Sequence, residues 1–274
     1  MTPGACSVHT HSVLCDGKNT LPEMAAAAFA AGVRYFGVSG HSHTPIPWDE
    51  GNTLPSDPAE YRAQALRLRA EYEGRMEVLL GIEQDSCSLQ PVPSWADYWI
   101  GSVHNLRVGG AYACVDWDAE KLETGCRELF GGDYLAMAEG YYADVAAMAA
   151  RRPTILGHVD LICKLNAGNR FFDEEDPRYQ DSAREALHAA DPRETLLEIN
   201  TGGVSRGYRA DPYPAFFLLR EWRAMGGEII LTSDSHSTDT IVFGYDRAAE
   251  LARAAGFTRA AVLTCSGRAA VSLG

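Results

Sequence analysis

The chain has 274 residues, 46% of them hydrophobic, and a formal net charge of −13. That length and apolar content suit one large buried core, and no low-complexity linker divides the sequence, so residues 1–274 are expected to form a single domain. The acidic balance argues against general binding to nucleic acid or to an anionic membrane surface. Seven cysteines, an odd number with no C-x-x-C pair, read as reduced thiols. No basic segment followed by an apolar run opens the chain, and no stretch is apolar for long enough to span a bilayer, so a cytoplasmic location is expected. Nothing in the sequence specifies an oligomeric state.

The first chemically distinctive stretch, Ser7 to Ser12, reads as a short strand entering a loop. Residues two apart on a strand point to one side, so His9 and His11 can aim two imidazoles at one point, with Asp16 close behind. Alone, such a pair more often packs than binds. Thr20 and Glu23 then have capping-box spacing, with Pro22 in the first turn of a helix closed by Gly32. Residues 33–39 form a buried strand ending at His41, with His43 two residues on. Pro45 and Pro47 keep the next loop extended through Trp48. Asp57 as cap and Pro58 at the first position open a helix reaching Gly74.

Residues 76–82 form the next strand, with Glu83 at its carboxyl end, and residues 97–103 another, ending at His104. Asp118 caps a helix to Phe130, and Asp133 caps one to Arg152. Residues 154–157 make a strand with His158 at its end; Asp176-Pro177 starts a helix to Ala190; residues 196–200 are a further strand. A helix over 214–225, a strand over 228–232 closed by Ser233-Asp234-Ser235-His236, a helix over 246–255 and a strand over 260–264 complete the chain. Strand and helix alternate about seven times, which implies a parallel sheet, open or closed into a barrel. In a barrel, function gathers at the carboxyl ends of the strands.

There the unusual residues lie. His9, His11, His41, His104, His158 and His236 all stand at or just past a strand end, as do Asp16, Glu83 and Asp234. His188 lies within a helix and reads as an ordinary packed or solvated residue. Nine donors exceed the roughly four to six that one first-row ion takes, so two or three divalent ions are implied. Three carboxylates supply −3 and three such ions +6, leaving about +3 to attract a phosphate dianion. A bound water whose pKa falls to about 7 is a nucleophile at neutral pH. Imidazole and carboxylate suit zinc, iron and manganese alike.

These residues resemble the polymerase and histidinol phosphatase (PHP) superfamily, in its histidinol-phosphatase type. The matching pieces are His9-Thr10-His11 with Asp16-Gly17, His41, Gly81-Ile82-Glu83, Ser102-Val103-His104, Gly157-His158-Val159, Leu197 to Thr201, and Ser233 to His236. The resemblance implies a distorted TIM-like (β/α)7 barrel with a trinuclear centre. It implies one ion on His9, His11, Glu83 and Asp234, a second on Glu83, His104 and His158, and a third on Asp16, His41 and His236. Two departures stand out: Gly40 occupies a position usually acidic in the family, and Asn200-Thr201-Gly202-Gly203 replaces a more usual Asn-Thr-Ser-Gly.

The function implied is hydrolysis of a small phosphomonoester, L-histidinol phosphate, in histidine biosynthesis. Glu83, Asp234 and His236 are the candidate catalytic residues. Arg206 is the first choice for gripping the phosphate, with Arg209 and Lys164 as alternates and His43 as a further contact. Asp234 or a bound water could serve the leaving alkoxide. Trp48, Tyr112, Trp117 and Phe171 lie in loops that could face the barrel mouth. The competing readings are a PHP phosphoesterase for a nucleotide or another small alcohol or sugar phosphate, a polymerase-associated proofreading module, and a metal-buffering protein without activity.

Overall fold

The computed structural model describes residues 3–274. In chain order its elements are β1 (Cys6–Ser7), α1 (Leu21–Ala30), β2 (Tyr35–Val38), α2 (Ala59–Glu71), β3 (Glu77–Asp85), β4 (Tyr98–Ser102), β5 (Asn105–Val108), β6 (Ala111–Cys114), α3 (Ala119–Leu129), α4 (Tyr134–Ala149), β7 (Ile155–Leu156), α5 (Pro177–His188), β8 (Leu196–Asn200), α6 (Gly202–Ser205), α7 (Phe216–Ala224), β9 (Glu228–Thr232), α8 (Tyr245–Ala254), β10 (Arg259–Thr264) and β11 (Gly267–Ser272). One sheet runs β1-β2-β3-β4-β7-β8-β9-β10-β11. Its pairs are parallel except β10 with β11.

The curl of the sheet brings its first and seventh strands together beyond their ends. Thr10 and Ser235 form a parallel bridge. The Ser235 N–H donates to the His9 carbonyl at 3.0 Å and the His11 N–H to the Ser235 carbonyl at 2.8 Å. On the other flank the Ser39 N–H donates to the Thr10 carbonyl at 3.0 Å. Seven parallel strands thus make a distorted (β/α)7 barrel, closed at the carboxyl end. No helix among the described residues is long and apolar enough to cross a membrane.

Local chemistry explains the frame. Thr20 and Glu23 make the expected capping box, and α1 buries Leu21, Met24, Ala25 and Ala28, a helical stripe. That stripe packs on Phe36 and Val38 of β2 and on Val78, Leu80 and Ile82 of β3. Truncating one such residue, Phe36→Ala, would cost about 3–5 kcal/mol. The other face of β3 turns Leu79, Glu83 and Asp85 to the barrel interior, as period-two alternation requires. Across that interior, the Tyr98 hydroxyl donates to the Val8 carbonyl at 2.5 Å and the Val38 carbonyl at 3.0 Å.

Several boundaries depart from the expectation. The first strand is regular only over Cys6–Ser7, although the chain runs on to the Thr10 bridge. The second helix is capped at Pro58, because the Asp57 carboxylate takes the Ala59 N–H at 3.2 Å in a side-chain turn. The β5–β6 hairpin adds two strands where the sequence pattern predicts none. Its turn, Gly109-Gly110, has φ of +57° and +91°, the left-handed pair that a two-residue hairpin demands. The closing strand β11 is likewise additional.

Candidate metal centre

Six histidines and three carboxylates meet at the carboxyl end of the barrel. The extended chain after β1 sends His9 and His11 to one side, both fully buried. Glu83, at the inner face of β3, is the hub. Its Oε2 lies 3.1 Å from His9 Nε2, 3.3 Å from His11 Nε2 and 3.1 Å from His41 Nδ1. Its Oε1 lies 3.0 Å from His158 Nε2 and 3.4 Å from His104 Nε2. One carboxylate therefore faces five imidazoles drawn from four different strand ends.

Asp234 follows β9 in the left-handed region, with φ of +47°, a strained conformation for a non-glycine residue. That turn aims Oδ1 at His11 Nε2 (3.3 Å), His236 Nδ1 (3.5 Å) and His9 Nε2 (3.6 Å). Its other oxygen accepts from Arg206 Nη2 at 2.9 Å. Asp16 sits on the solvent side, with Oδ2 3.0 Å from His236 Nε2 and 3.5 Å from His41 Nε2, and Oδ1 3.4 Å from His11 Nδ1.

Burial would raise the Glu83 carboxyl, but His9, His41 and His104 outweigh it and hold it well below the usual carboxylate range. Burial opposes ionisation of Asp234 too, and Arg206 and His9 hold it well below that range. Burial would depress His9, yet Glu198, Glu83 and Asp234 keep it well above the ordinary imidazole value. His41 is pushed up to about 9, with Glu83 and Asp16 overcoming burial. His11 goes the other way, lowered by burial and then by the nearby imidazoles of His236 and His41. Ionised carboxylates and raised imidazoles thus face one another across the cluster, each holding the other charged.

Metal ions fit this donor set. His9 Nε2, His11 Nε2 and Glu83 Oε2 are buried with no hydrogen-bond partner, a costly state that coordination relieves. Four overlapping groups have their donor atoms within 4.8 Å of one another: His9-His11-Asp234, His9-Glu83-His158, His41-Glu83-His104, and His11-Asp16-His41-His236. All nine residues singled out in the sequence thus lie in one cluster. In these groups His41 stands between Glu83 and Asp16, and Glu83 is shared by two of them.

The candidate phosphate contacts separate clearly. Arg206 lines the cleft, and its Nη1 donates to the Asp234 carbonyl at 3.0 Å and to His236 Nδ1 at 3.1 Å. Gly202 makes room for it: a Cβ there would fall 2.8 Å from both Arg206 Nη2 and Asp234 Oδ2. Lys164 also lines the cleft, tied to Asp116 at 3.1 Å and lying over the Tyr208 ring. Arg209 spends its fork on Glu174, at 2.8 and 3.1 Å, and on the Cys163 carbonyl. His43 faces a separate groove with Pro45 and Pro47. His188 pairs with Glu221 at 2.7 Å on the surface.

The cleft has two lobes sharing Asp16, His41, His104 and Asp116. One, of about 170 Å³, holds Lys164 and Arg206. The other, of about 80 Å³, is lined by Asp49, Asp85, Asn105 and Trp117. Of the aromatic candidates only Trp117 lines these lobes; Trp48 and Tyr112 line a groove against α3, and Phe171 packs on Tyr134. At Gly40, Leu54 fills the space a side chain would take, 3.1 Å from where a Cβ would stand, so apolar packing replaces the acidic group.

Two carboxylates escape a reading of the sequence alone. Asp85 accepts from His104 Nδ1 at 2.9 Å, and Glu198 from His9 Nδ1 at 2.5 Å. The signal is present: Asp85 is two residues past Glu83 on the same face, and Glu198 is a lone charge in a fully buried strand.

A closed parallel barrel with a polynuclear donor cluster at its carboxyl rim defines a class. The chain belongs to the PHP domain family, whose model matches residues 6–202. Among its relatives, the probable histidinol-phosphatase of Deinococcus radiodurans is 31% identical over 274 residues, covering 92% of this chain and 94% of that one. The histidinol-phosphatase of Bacillus subtilis is 26% identical over 265 residues, covering 87% of this chain and 96% of its own. A crystal structure of histidinol phosphate phosphatase from Lactococcus lactis, complexed with zinc, L-histidinol and phosphate, shares the fold, with a TM-score of 0.63 at 22% identity over 96% of this chain and 98% of that one.

Proposed function

We propose that the chain is a metal-dependent phosphomonoesterase that hydrolyses L-histidinol phosphate to L-histidinol and phosphate, a step of histidine biosynthesis carried out in the cytoplasm. The observation that carries this reading is Glu83, one buried carboxylate facing five imidazoles beside a cleft that holds Arg206. Histidinol-phosphatase relatives matching nearly the full chain support the substrate. On this reading residues 1–274 act as one catalytic domain on a small molecule, not on nucleic acid.

His9, His11, Asp16, His41, Glu83, His104, His158, Asp234 and His236 would hold two to three divalent ions, of zinc, iron or manganese. Bound there, the ions lower the pKa of a coordinated water and neutralise charge on the phosphoryl oxygens. The chain's own groups do the rest. Arg206 can offer its Nε–H and the remaining Nη2–H to the phosphate, while Nη1 and the other Nη2 hydrogen, bound to Asp234 and His236, hold the guanidinium in place. Lys164 adds a second positive charge to the same lobe. Asp234, held ionised by Arg206 and His9, stays a charged ligand at neutral pH and lies on the cluster side of the Arg206 fork. His236, on the solvent side and 3.0 Å from Asp16, is placed to pass a proton outward. Asp49, Asp85 and Asp116 give the smaller lobe negative charge, which complements the ammonium and imidazole of histidinol.

A panel of phosphomonoesters tests this. The metal-loaded protein should turn over L-histidinol phosphate with a kcat/KM at least about tenfold above sugar phosphates, neutral alcohol phosphates and nucleotides. Equal rates across the panel would overturn the specific substrate, and no hydrolysis of any ester would overturn the activity.

A further inference from the structure

We propose that Glu198 is a positioning residue that fixes His9 as an Nε2 metal ligand and sets the register between the metal cluster and the Arg206 turn. The inference rests on reading the cluster as a metal centre and goes beyond it, since Glu198 is not among the nine donors.

Glu198 is fully buried in β8, where Leu196 and Leu197 precede it and Ile199 follows. A lone carboxylate in such a strand is tolerated only when its oxygens are satisfied. Here both are. Oε1 accepts from His9 Nδ1 at 2.5 Å and from the Thr232 hydroxyl at 2.7 Å. Oε2 accepts from the His158 backbone N–H at 2.7 Å and from the Asn200 side-chain amide at 3.0 Å.

The consequence for His9 is a matter of tautomer. A carboxylate can only accept, so Nδ1 keeps a hydrogen in either charge state, and it is Nε2, facing Glu83 and Asp234, that gives up its proton to become a ligand. The ring is held from behind at the one ring nitrogen that does not face the cluster. The same carboxylate pins the backbone of His158, so two candidate ligands from different strands are referred to a single point. The chain of contacts continues: Asn200 Oδ1 accepts from the Gly202 N–H at 2.8 Å, which starts α6 and leads to Arg206. Glu198 touches neither substrate nor ion; it acts through the groups it orients.

Glu198→Gln keeps the shape but puts an amide donor among four donors. Facing His9 Nδ1, that amide favours the other tautomer, with hydrogen on Nε2 where the lone pair is needed. Metal content by elemental analysis, and zinc affinity by competition with a chromophoric chelator, read the effect without turnover. We expect loss of one bound ion per chain, or a roughly 10–100-fold weaker zinc affinity, and no further loss when His9→Gln is combined with it. Melting of the chelator-treated variant separates a structural role: a metal affinity equal to wild type together with a lowered melting temperature overturns the proposal, as does additive loss in the double variant. Thr232→Val, which removes one donor from Glu198 while keeping a β-branched strand residue, is the second variant. It should weaken zinc binding about threefold or more, and an unchanged affinity overturns the proposal even where Glu198→Gln does not fold. A wild-type protein that binds no divalent ion at all refutes the underlying metal reading instead.

Discussion

His9, His11, Glu83 and His158 at the floor of the cleft are sealed from solvent, with side chains at most 2% exposed. At the rim, His41 and His104 keep 16% exposure, His236 20% and Asp16 28%. The donors are of the same kinds, but their support differs. At the floor His9 is gripped by Glu198, a carboxylate from β8, and His158 has its backbone held by the same group. At the rim His104 is gripped in the same way by Asp85, at 2.9 Å, whereas His41 and His236 face mainly other members of the cluster, Asp16, Glu83 and Asp234. Floor and rim therefore differ in exposure, and in that His41 and His236 lack the outside carboxylate that His9 and His104 each have.

The sharpest break of that comparison is Glu83→Gln, which removes the hub of the floor. Turnover should fall at least about 10³-fold, and bound metal should drop with it; full activity and full metal content would end the case for a shared carboxylate. Next in size is Asp160→Asn. Asp160 is as buried as Glu198, yet it has a single partner, the Ala215 N–H at 2.7 Å on Oδ2, its Oδ1 being left without one, and burial pushes its pKa up to about 6. A raised carboxyl contributes stability below its unfolded value near 4 and loses it as pH rises through about 6. The variant should therefore gain up to about 3 kcal/mol relative to wild type between about pH 4 and pH 7, read by urea unfolding in chelator at each pH. A difference independent of pH would contradict the assignment.

Arg206→Lys keeps a charge but loses the fork, and should cost about 1.5–3 kcal/mol, roughly 10–100-fold in kcat/KM. The rim offers a titration. With its pKa pushed up to about 9, His41 is protonated at neutral pH and must lose that proton to bind metal. Calorimetry in buffers of different ionisation enthalpy should find protons released on zinc binding at about pH 7 and less release near pH 10; no pH dependence would show that His41 is neutral beforehand. The smallest effect is expected from Gly202→Ala, whose methyl would stand 2.8 Å from Arg206 Nη2 and Asp234 Oδ2 and 2.9 Å from Asp234 Cβ, so that both side chains must give way. A loss of roughly 1 kcal/mol, about fivefold in kcat/KM, should be measured.

Much of this is legible in the sequence because barrels place chemistry at strand ends, and a histidine or acid after an apolar run marks such an end. The parallel alternation, the capping box at Thr20 and the nine clustered residues all follow from that rule. What sequence cannot supply is the neighbour relation across strands. Glu198 and Asp85 matter through what lies beside them, and Arg209 is diverted from the cleft because Glu174 reaches it first. The β5–β6 hairpin hides among short alternating residues, where only the paired glycines signal a turn.

The seam at Thr10 and Ser235 has a consequence for how the protein comes into being. The residues flanking it are themselves candidate ligands, and His236 meets Asp16 across 220 residues of sequence. Joining ends so distant costs about 5 kcal/mol of chain entropy. An ion shared by the two margins would act as a clasp on one of the longest loops in the molecule. During synthesis the first two histidines can meet Glu83 early but must wait for nearly the whole chain to emerge before Asp234 exists. Withdrawing the ions should loosen this seam first, so amide exchange after chelation should quicken at His11 and Ser235 ahead of the β3–β4 pair.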